Sequence, residues 1–263
     1  ITFILLILFS SKLLAQSQSG ARMAAIADAG LALGDIWSLN VNQAGILAVK
    51  KINVAVDHQK TYLNQQIAAS RINFVMPFKG QVLGMGLATY GFDAYKQQEL
   101  LLSYARAFGP NLSAALAVHY HQLSIQSYGK SAAYSIDAGF IYKMNAELSL
   151  GVHISNVTNH SFDRNLSFMA LPMRMQVGMA YRASQQVVLS GTLEQSIHTK
   201  PEGKLGIDYQ IINQLFLRAG MKTNPIRECA GMGLVLRAFH LDIAFTTHPF
   251  LGTGSQIGLS YEF

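Results

Sequence analysis

His119 and His121 stand two residues apart, so on an extended strand both imidazoles face the same side, a spacing that can chelate a metal ion. Neither has a carboxylate or a cysteine next to it in sequence, and two imidazoles alone make a poor site, so both read as interior hydrogen-bonding groups and no metal is expected. Cys229 is the single cysteine, which excludes an intrachain disulfide; alternation puts it on an interior face as a small packing residue. Serine and histidine are plentiful enough for an acyl hydrolase, but that chemistry needs a base within reach of a nucleophile, and no set is marked by its spacing. Nor does a glycine-rich phosphate loop precede a helix. The chain therefore offers no catalytic residues and no cofactor site, and it is not expected to be an enzyme. It offers instead charges of both signs in the middle of apolar-polar repeats: Arg174, Glu194, Lys204, Asp208, Arg218, Lys222 and Asp242.

The elements that carry those charges alternate with period two, the signature of strands with one apolar and one polar face. Residues 255–263 alternate without a break and end on an aromatic. Met173, Met175, Val177, Met179 and Tyr181 oppose Arg174, Gln176, Gly178, Ala180 and Arg182; Leu205, Ile207 and Tyr209 oppose Lys204, Gly206, Asp208 and Gln210. Residues 147–155, 215–222 and 240–245 repeat the pattern, and 50–59, 68–77, 80–91, 97–107, 111–126 and 131–143 follow it with more noise. From residue 50 onward fourteen such segments can be written. Mixed charges facing one another suit a lumen, whereas the solvent face of a soluble sandwich would be richer in Lys, Glu and Thr. The other faces are aliphatic, with Tyr134, Tyr142, Tyr181, Tyr209 and Tyr261 near strand ends like an interfacial girdle.

Composition agrees. Half of the 263 residues are hydrophobic and 13% are charged, against about 25% in a typical soluble domain. Yet after residue 15 no apolar run approaches the roughly 20 residues of a membrane helix. The expected fold is all-β: a transmembrane antiparallel barrel of about fourteen strands. Residues 1–15 read as the apolar core and cleavage site of a secretory signal peptide, 16–49 as a non-alternating N-terminal segment, and 50–263 as the barrel. Within 16–49, Ala21 to Leu33 reads as a short helix broken by Gly30 and Gly34. The net charge of +6 is spread thinly, which argues against nucleic acid; it suits anionic lipopolysaccharide and outer-membrane lipid.

Connections should alternate in length. Short links are expected at 78–80, 109–111, 144–146, 184–186, Asn213 and Phe239, on the periplasmic side with the C-terminus. Longer ones are expected around 60–66, 92–97, 127–131, 156–171, 198–203, 223–228 and 247–253. Gly231 and Gly233 fall inside a strand, where missing side chains make room for the N-terminal segment or bend the wall.

The terminal Tyr261-Glu262-Phe263 resembles the C-terminal signature of bacterial outer-membrane barrels. Gly20-Ala21-Arg22, the acidic Asp35, and Asn42-Gln43-Ala44-Gly45-Ile46 resemble the opening of the PorV/PorQ proteins of Bacteroidetes and the related FadL-like long-chain fatty-acid transporters, with Gln43 in place of the usual proline. That resemblance implies a lumenal plug beneath a fourteen-stranded barrel. Physically, Asn40 and Asn42 favour turns, Ala44 and Gly45 permit close approach to a wall, and Arg22 and Asp35 can pair with lumen charges. It also implies one of two functions. The first is an accessory subunit of an outer-membrane machine of the type IX secretion kind, holding or bracing other outer-membrane proteins, which mostly short outer loops favour. The alternative is a conduit for small hydrophobic ligands, which needs an apolar capture surface, a movable plug and usually a lateral opening. A general porin fits less well, because the N-terminal segment should block the lumen. The long link 156–171 carries Phe162, Leu166, Phe168 and Met169, a surface for a partner or a ligand.

Overall fold

The computed structural model describes residues 19–60, 67–160, 162, 171–197, 199–250 and 252–263. Fourteen strands follow one another: β1 Asn53–Lys60, β2 Ala68–Phe78, β3 Gln81–Phe92, β4 Tyr95–Phe108, β5 Leu112–Ile125, β6 Gly129–Lys143, β7 Leu148–Ser155, β8 Arg174–Arg182, β9 Val187–Ser196, β10 Glu202–Ile212, β11 Leu215–Lys222, β12 Arg227–Leu236, β13 Phe239–His248 and β14 Gly252–Glu262. Each pairs antiparallel with its sequence neighbours, and β1 pairs with β14 from Asn53↔Glu262 to Lys60↔Ser255, so the sheet closes into a barrel with no free edge.

Alternation decides which face turns out. Ile257 and Leu259 of β14 are exposed while Gln256, Gly258 and Ser260 between them turn in; Leu205 (61% exposed) and Lys204 (6%) do the same on β10. Large apolar side chains thus cover the outside of nearly every strand, the reverse of a soluble barrel. Phe78, Phe108, Tyr142, Tyr181, Tyr209, Phe239 and Phe263 are exposed at the end that carries the C-terminal Phe263. There Phe239 and Tyr261 pack at 4.7 Å between ring centroids, and Tyr261 and Phe263 at 4.8 Å. No helix among the described residues is long and apolar enough to cross a membrane.

At that end the connections are tight. Lys79-Gly80 joins β2 to β3 with both residues at positive φ (48° and 80°), as a two-residue turn between twisted strands requires. The β12–β13 turn is Arg237-Ala238, so Phe239 opens β13 instead of turning the chain. At the opposite end the link expected at 92–97 is only Asp93-Ala94, because β3 and β4 stay paired out to Phe92↔Tyr95. Residues 1–15, and Leu166, Phe168 and Met169, lie outside the described residues.

The interior is filled by residues 19–49. Helix α1 (Ala21–Ala25) is followed by short 3₁₀ turns at Ile36–Asn40 and Gln43–Ala48. The helix is shorter than the alanine run and does not end at Gly30: Ala27 and Asp28 already take left-handed φ of 57° and 59°, turning Asp28 toward Ser19 and Lys222. Met23, Ile26, Leu31, Trp37, Leu39 and Ile46 form one buried cluster with inward residues of the wall such as Val75, Leu101 and Ala115.

Candidate functional site: the barrel interior and its two openings

The first half of the inner segment is held by charge. Arg22 reaches Asp35 within the segment and Asp208 on β10 (3.2 Å), while Arg218 on β11 bridges Asp208 (3.1 Å) and Asp242 on β13 (2.6 Å). Asp35 therefore pairs inside its own segment, not with a wall residue, and its carboxylate also accepts from the Ser38 amide to start the first 3₁₀ turn (2.9 Å). Lys222 pairs with Asp28 at 2.7 Å. Lys204 pairs with Glu194 at 2.6 Å, and Arg174 approaches Glu194 at 3.9 Å. Burial disfavours the charge on Arg22, but Asp35 and Asp208 outweigh it and raise its pKa above the ordinary arginine range. Burial likewise works against ionised Asp28, yet Lys222 and Lys204 prevail and hold its carboxyl below the ordinary value.

The glycines of the wall fit this packing. A methyl group on Gly231 would meet Ala25 at 2.6 Å, and one on Gly233 would meet the Arg218–Asp242 pair at 2.6 and 2.7 Å. Buried Cys229 lies on the same inward face.

The second half carries no ion pair to the wall among the described residues and is held through its own amide side chains. Asn42 caps the second 3₁₀ turn and donates to the carbonyls of Leu31 (3.0 Å) and Phe140 on β6 (3.1 Å). Asn40 accepts from Arg71 on β2 (2.9 Å), and Gln43 bonds His153 on β7 (3.0 Å). Gly45 is packed not on the wall but on its own segment, where a Cβ would strike the Leu33 carbonyl and lie 2.6 Å from Ser38 Cβ; Ala44 is buried beside it. Amide contacts complete the grip: Ala21 N donates to Asp57 (2.9 Å), and Thr192 donates to the Ala29 carbonyl (3.0 Å).

His119 and His121 stack at 5.6 Å. His119 bonds Glu99 (2.7 Å) and approaches Asp137 (3.2 Å), whereas His121 bonds Ser135 (3.0 Å). Among the described residues no group of three His, Cys, Asp or Glu is arranged to hold a metal. Asp57, Arg71, Glu99, Asp137 and His153 belong to the interior network but escaped the sequence reading. Their signal was present, since Arg71 and Asn73, or Glu99, Leu101 and Ser103, share a face at i, i+2, but the alternation there is noisier; His153 stands on the polar face of the clean 147–155 repeat without being singled out.

Two apolar features stand out on the wall around this filled interior. At the end away from the C-terminus, Leu123, Ala133 and Phe162 are buried together, with Tyr95, Ile125 and Leu171 packed around them and Tyr90 edge-on to Tyr95 (6.5 Å). This apolar, partly aromatic mouth sits directly above the His121–Ser135 pair. On the outer wall, across β7 to β11, lies a hollow of about 590 Å³ lined by Leu150, Val177, Met179, Leu193, Leu205 and Met221. It exists because Gly191, flanked by Met179 and Leu205, puts no side chain on the outer face. Behind it the wall is thin: a methyl group on Gly178 would meet Leu31 Cβ of the inner segment at 3.0 Å.

No family model matches the chain, and no curated protein matches it in sequence. Solved structures do match in fold. The toluene transporter TbuX of Ralstonia pickettii superposes with a TM-score of 0.72 at 12% identity, covering 95% of this chain and 99% of that one. The toluene transporter TodX of Pseudomonas putida gives 0.70 at 10%, covering 92% and 97%. A FadL homologue of Pseudomonas aeruginosa gives 0.64 at 11%, covering 93% and 98%. At these identities the likeness is one of fold: this chain shares with those structures a closed barrel over nearly its whole length.

Proposed function

We propose that the chain is a non-enzymatic integral barrel of the bacterial outer membrane that conducts small hydrophobic molecules, with residues 19–49 as its plug and the C-terminus facing the periplasm. The observation that carries this reading is the apolar mouth formed by Tyr90, Tyr95, Leu123 and Ile125 on the inner face of the wall with Phe162 and Leu171 of the 156–173 connection, opposite the C-terminus. A polar solute gains nothing from such a lining, whereas a toluene-sized molecule gains roughly 25 cal/mol for each Å² it covers against it. The hollow at Gly191, separated from the plug by the thin wall at Gly178, supplies a way out toward the apolar exterior when the plug shifts. The fold shared with structures described as toluene transporters supports the same reading.

The accessory reading, a PorV/PorQ-like subunit of a secretion machine, is favoured by one observation: tight links such as Asp93-Ala94 leave little material at the mouth beyond the 156–173 connection. Mild-detergent purification from native membranes, with mass spectrometry of lipid and protein fractions, separates the two. The conduit reading expects a lone barrel carrying a hydrophobic small molecule. A stoichiometric protein partner and no ligand would favour the accessory subunit instead.

A further inference from the structure

At the end that carries the C-terminus, the plug leaves the barrel beside the β2–β3 turn. A cleft of about 270 Å³ opens there, lined by Leu47, Val49, Pro77 and Phe78 together with Lys50 and Lys79. The left-handed backbone of Lys79 places its ammonium 5.3 Å from the Phe78 ring, and Lys50 is exposed, donating to the Leu47 carbonyl at 3.0 Å. Phe78 itself faces outward within the aromatic girdle. Two cations thus stand at the rim of a partly apolar cleft, at the height where lipid tails give way to headgroups.

The whole barrel end that holds this cleft is basic. Arg106, Lys143, Arg182 and Arg237 are exposed at the ends of β4, β6 and β8 and in the β12–β13 turn, and Lys51 is exposed beside Lys50. Among the described residues the acids at this end are Glu147 and Glu262, and Glu262 is already paired with Lys51 at 3.4 Å. The opposite end carries exposed Lys60, Lys96, Lys130 and Lys200, and pairs some of its charge locally through Lys96–Asp93 (3.7 Å) and Arg227–Glu202 (2.7 Å). Among the described residues the excess of basic over acidic side chains is therefore larger at the end with the cleft.

We propose that the Lys50–Lys79 cleft binds the headgroup phosphate of an anionic phospholipid from the leaflet at this end, with its acyl chains running along Phe78. This rests on the reading of the chain as a membrane barrel. The assignment is to a lipid and not to a free anion, because the two lysines flank Phe78, which faces outward in the girdle, while Leu47, Val49 and Pro77 close the cleft on its inner side.

The test is native mass spectrometry of the detergent-purified barrel with phosphatidylglycerol or phosphatidylcholine. Wild type should retain phosphatidylglycerol in preference. The K50Q/K79Q variant should lose that preference by roughly thirty-fold, since each lysine near an anionic lipid contributes about a factor of five. A K96Q/K130Q variant at the opposite end should keep it. Heat-modifiable migration on gels confirms that each variant is folded. Equal retention of the two lipids by wild type, or undiminished preference in K50Q/K79Q, overturns the proposal. So does displacement of the lipid by glycerol 3-phosphate at equal concentration, which would make the cleft a small-anion site. Insertion into phosphatidylcholine liposomes, read by protease protection, tests the membrane reading separately; its failure would leave the selectivity seen in detergent to be judged on its own.

Discussion

Lys222 and Asp28 form the simplest tether between wall and plug, 2.7 Å apart and both largely withdrawn from water. Breaking such a pair on one side leaves a buried charge uncompensated, at a cost of about 3 kcal/mol, whereas replacing both partners is nearly neutral. Asp28→Asn should therefore loosen the plug, and Asp28→Asn combined with Lys222→Met should restore most of the loss. Trp37, the single tryptophan, is 2% exposed inside the plug, so its emission reports the change in a denaturant titration. The pH dependence has a definite sign. Despite the opposing effect of burial, Asp28 has a folded-state pKa below the ordinary 3.8, so its contribution is complete above that value and is lost as the pH falls through the lower folded one. The difference in stability between wild type and the Asp28→Asn/Lys222→Met double variant should hold steady from neutral pH down to about 4 and shrink only below it; a difference already lost at pH 5 would contradict this tether. Much of this was visible in sequence, because Lys204, Asp208, Arg218, Lys222 and Asp242 sit in clean alternation. Their partners were not: Asp28 meets Lys222 across 194 positions, and no local pattern records such a pairing.

At the scale of elements, the second half of the plug hangs on Asn42. Its side chain accepts from the Ala44 amide (3.2 Å) and donates to Leu31 and Phe140, so Asn42→Ala removes a cap and strands two buried carbonyls. A loss of about 2–3 kcal/mol is expected, read by the same Trp37 titration. Gly191 is the opposite case. A Cβ there would lie 3.5 Å from Leu205 and 3.9 Å from Met179, ordinary contact, so Gly191→Leu should fold like wild type yet fill the outer hollow. Hydrophobic uptake should drop several-fold while the melting temperature stays unchanged; unaltered uptake would remove the hollow from the pathway. The strands were legible because one face of each is apolar along its length, and a slip of one residue would turn that face inward. The length of α1 was not, since alanine favours a helix well beyond Ala25 and a tertiary pull on Asp28 ends it. Nor was the tight Asp93-Ala94 turn, which lacks the usual Gly or Asn.

At the scale of the whole molecule, an inside-out barrel is packed with residues 19–49 of the same chain, held by ion pairs to β10 and β11 and by hydrogen bonds of Asn40, Asn42 and Gln43 on the β2–β7 side. The architecture follows from alternation and closure, but function does not, because the mouth is assembled from β3, β4, β5, β6 and the 156–173 connection, which meet only in space. The measurement that bears most directly on the conduit is the initial rate at which radiolabelled toluene enters cells that express the chain, compared with cells that lack it. A faster and saturable entry, reduced by Gly191→Leu, is the predicted result. An entry rate unchanged by the chain, with folded barrel present in the outer membrane, would contradict it.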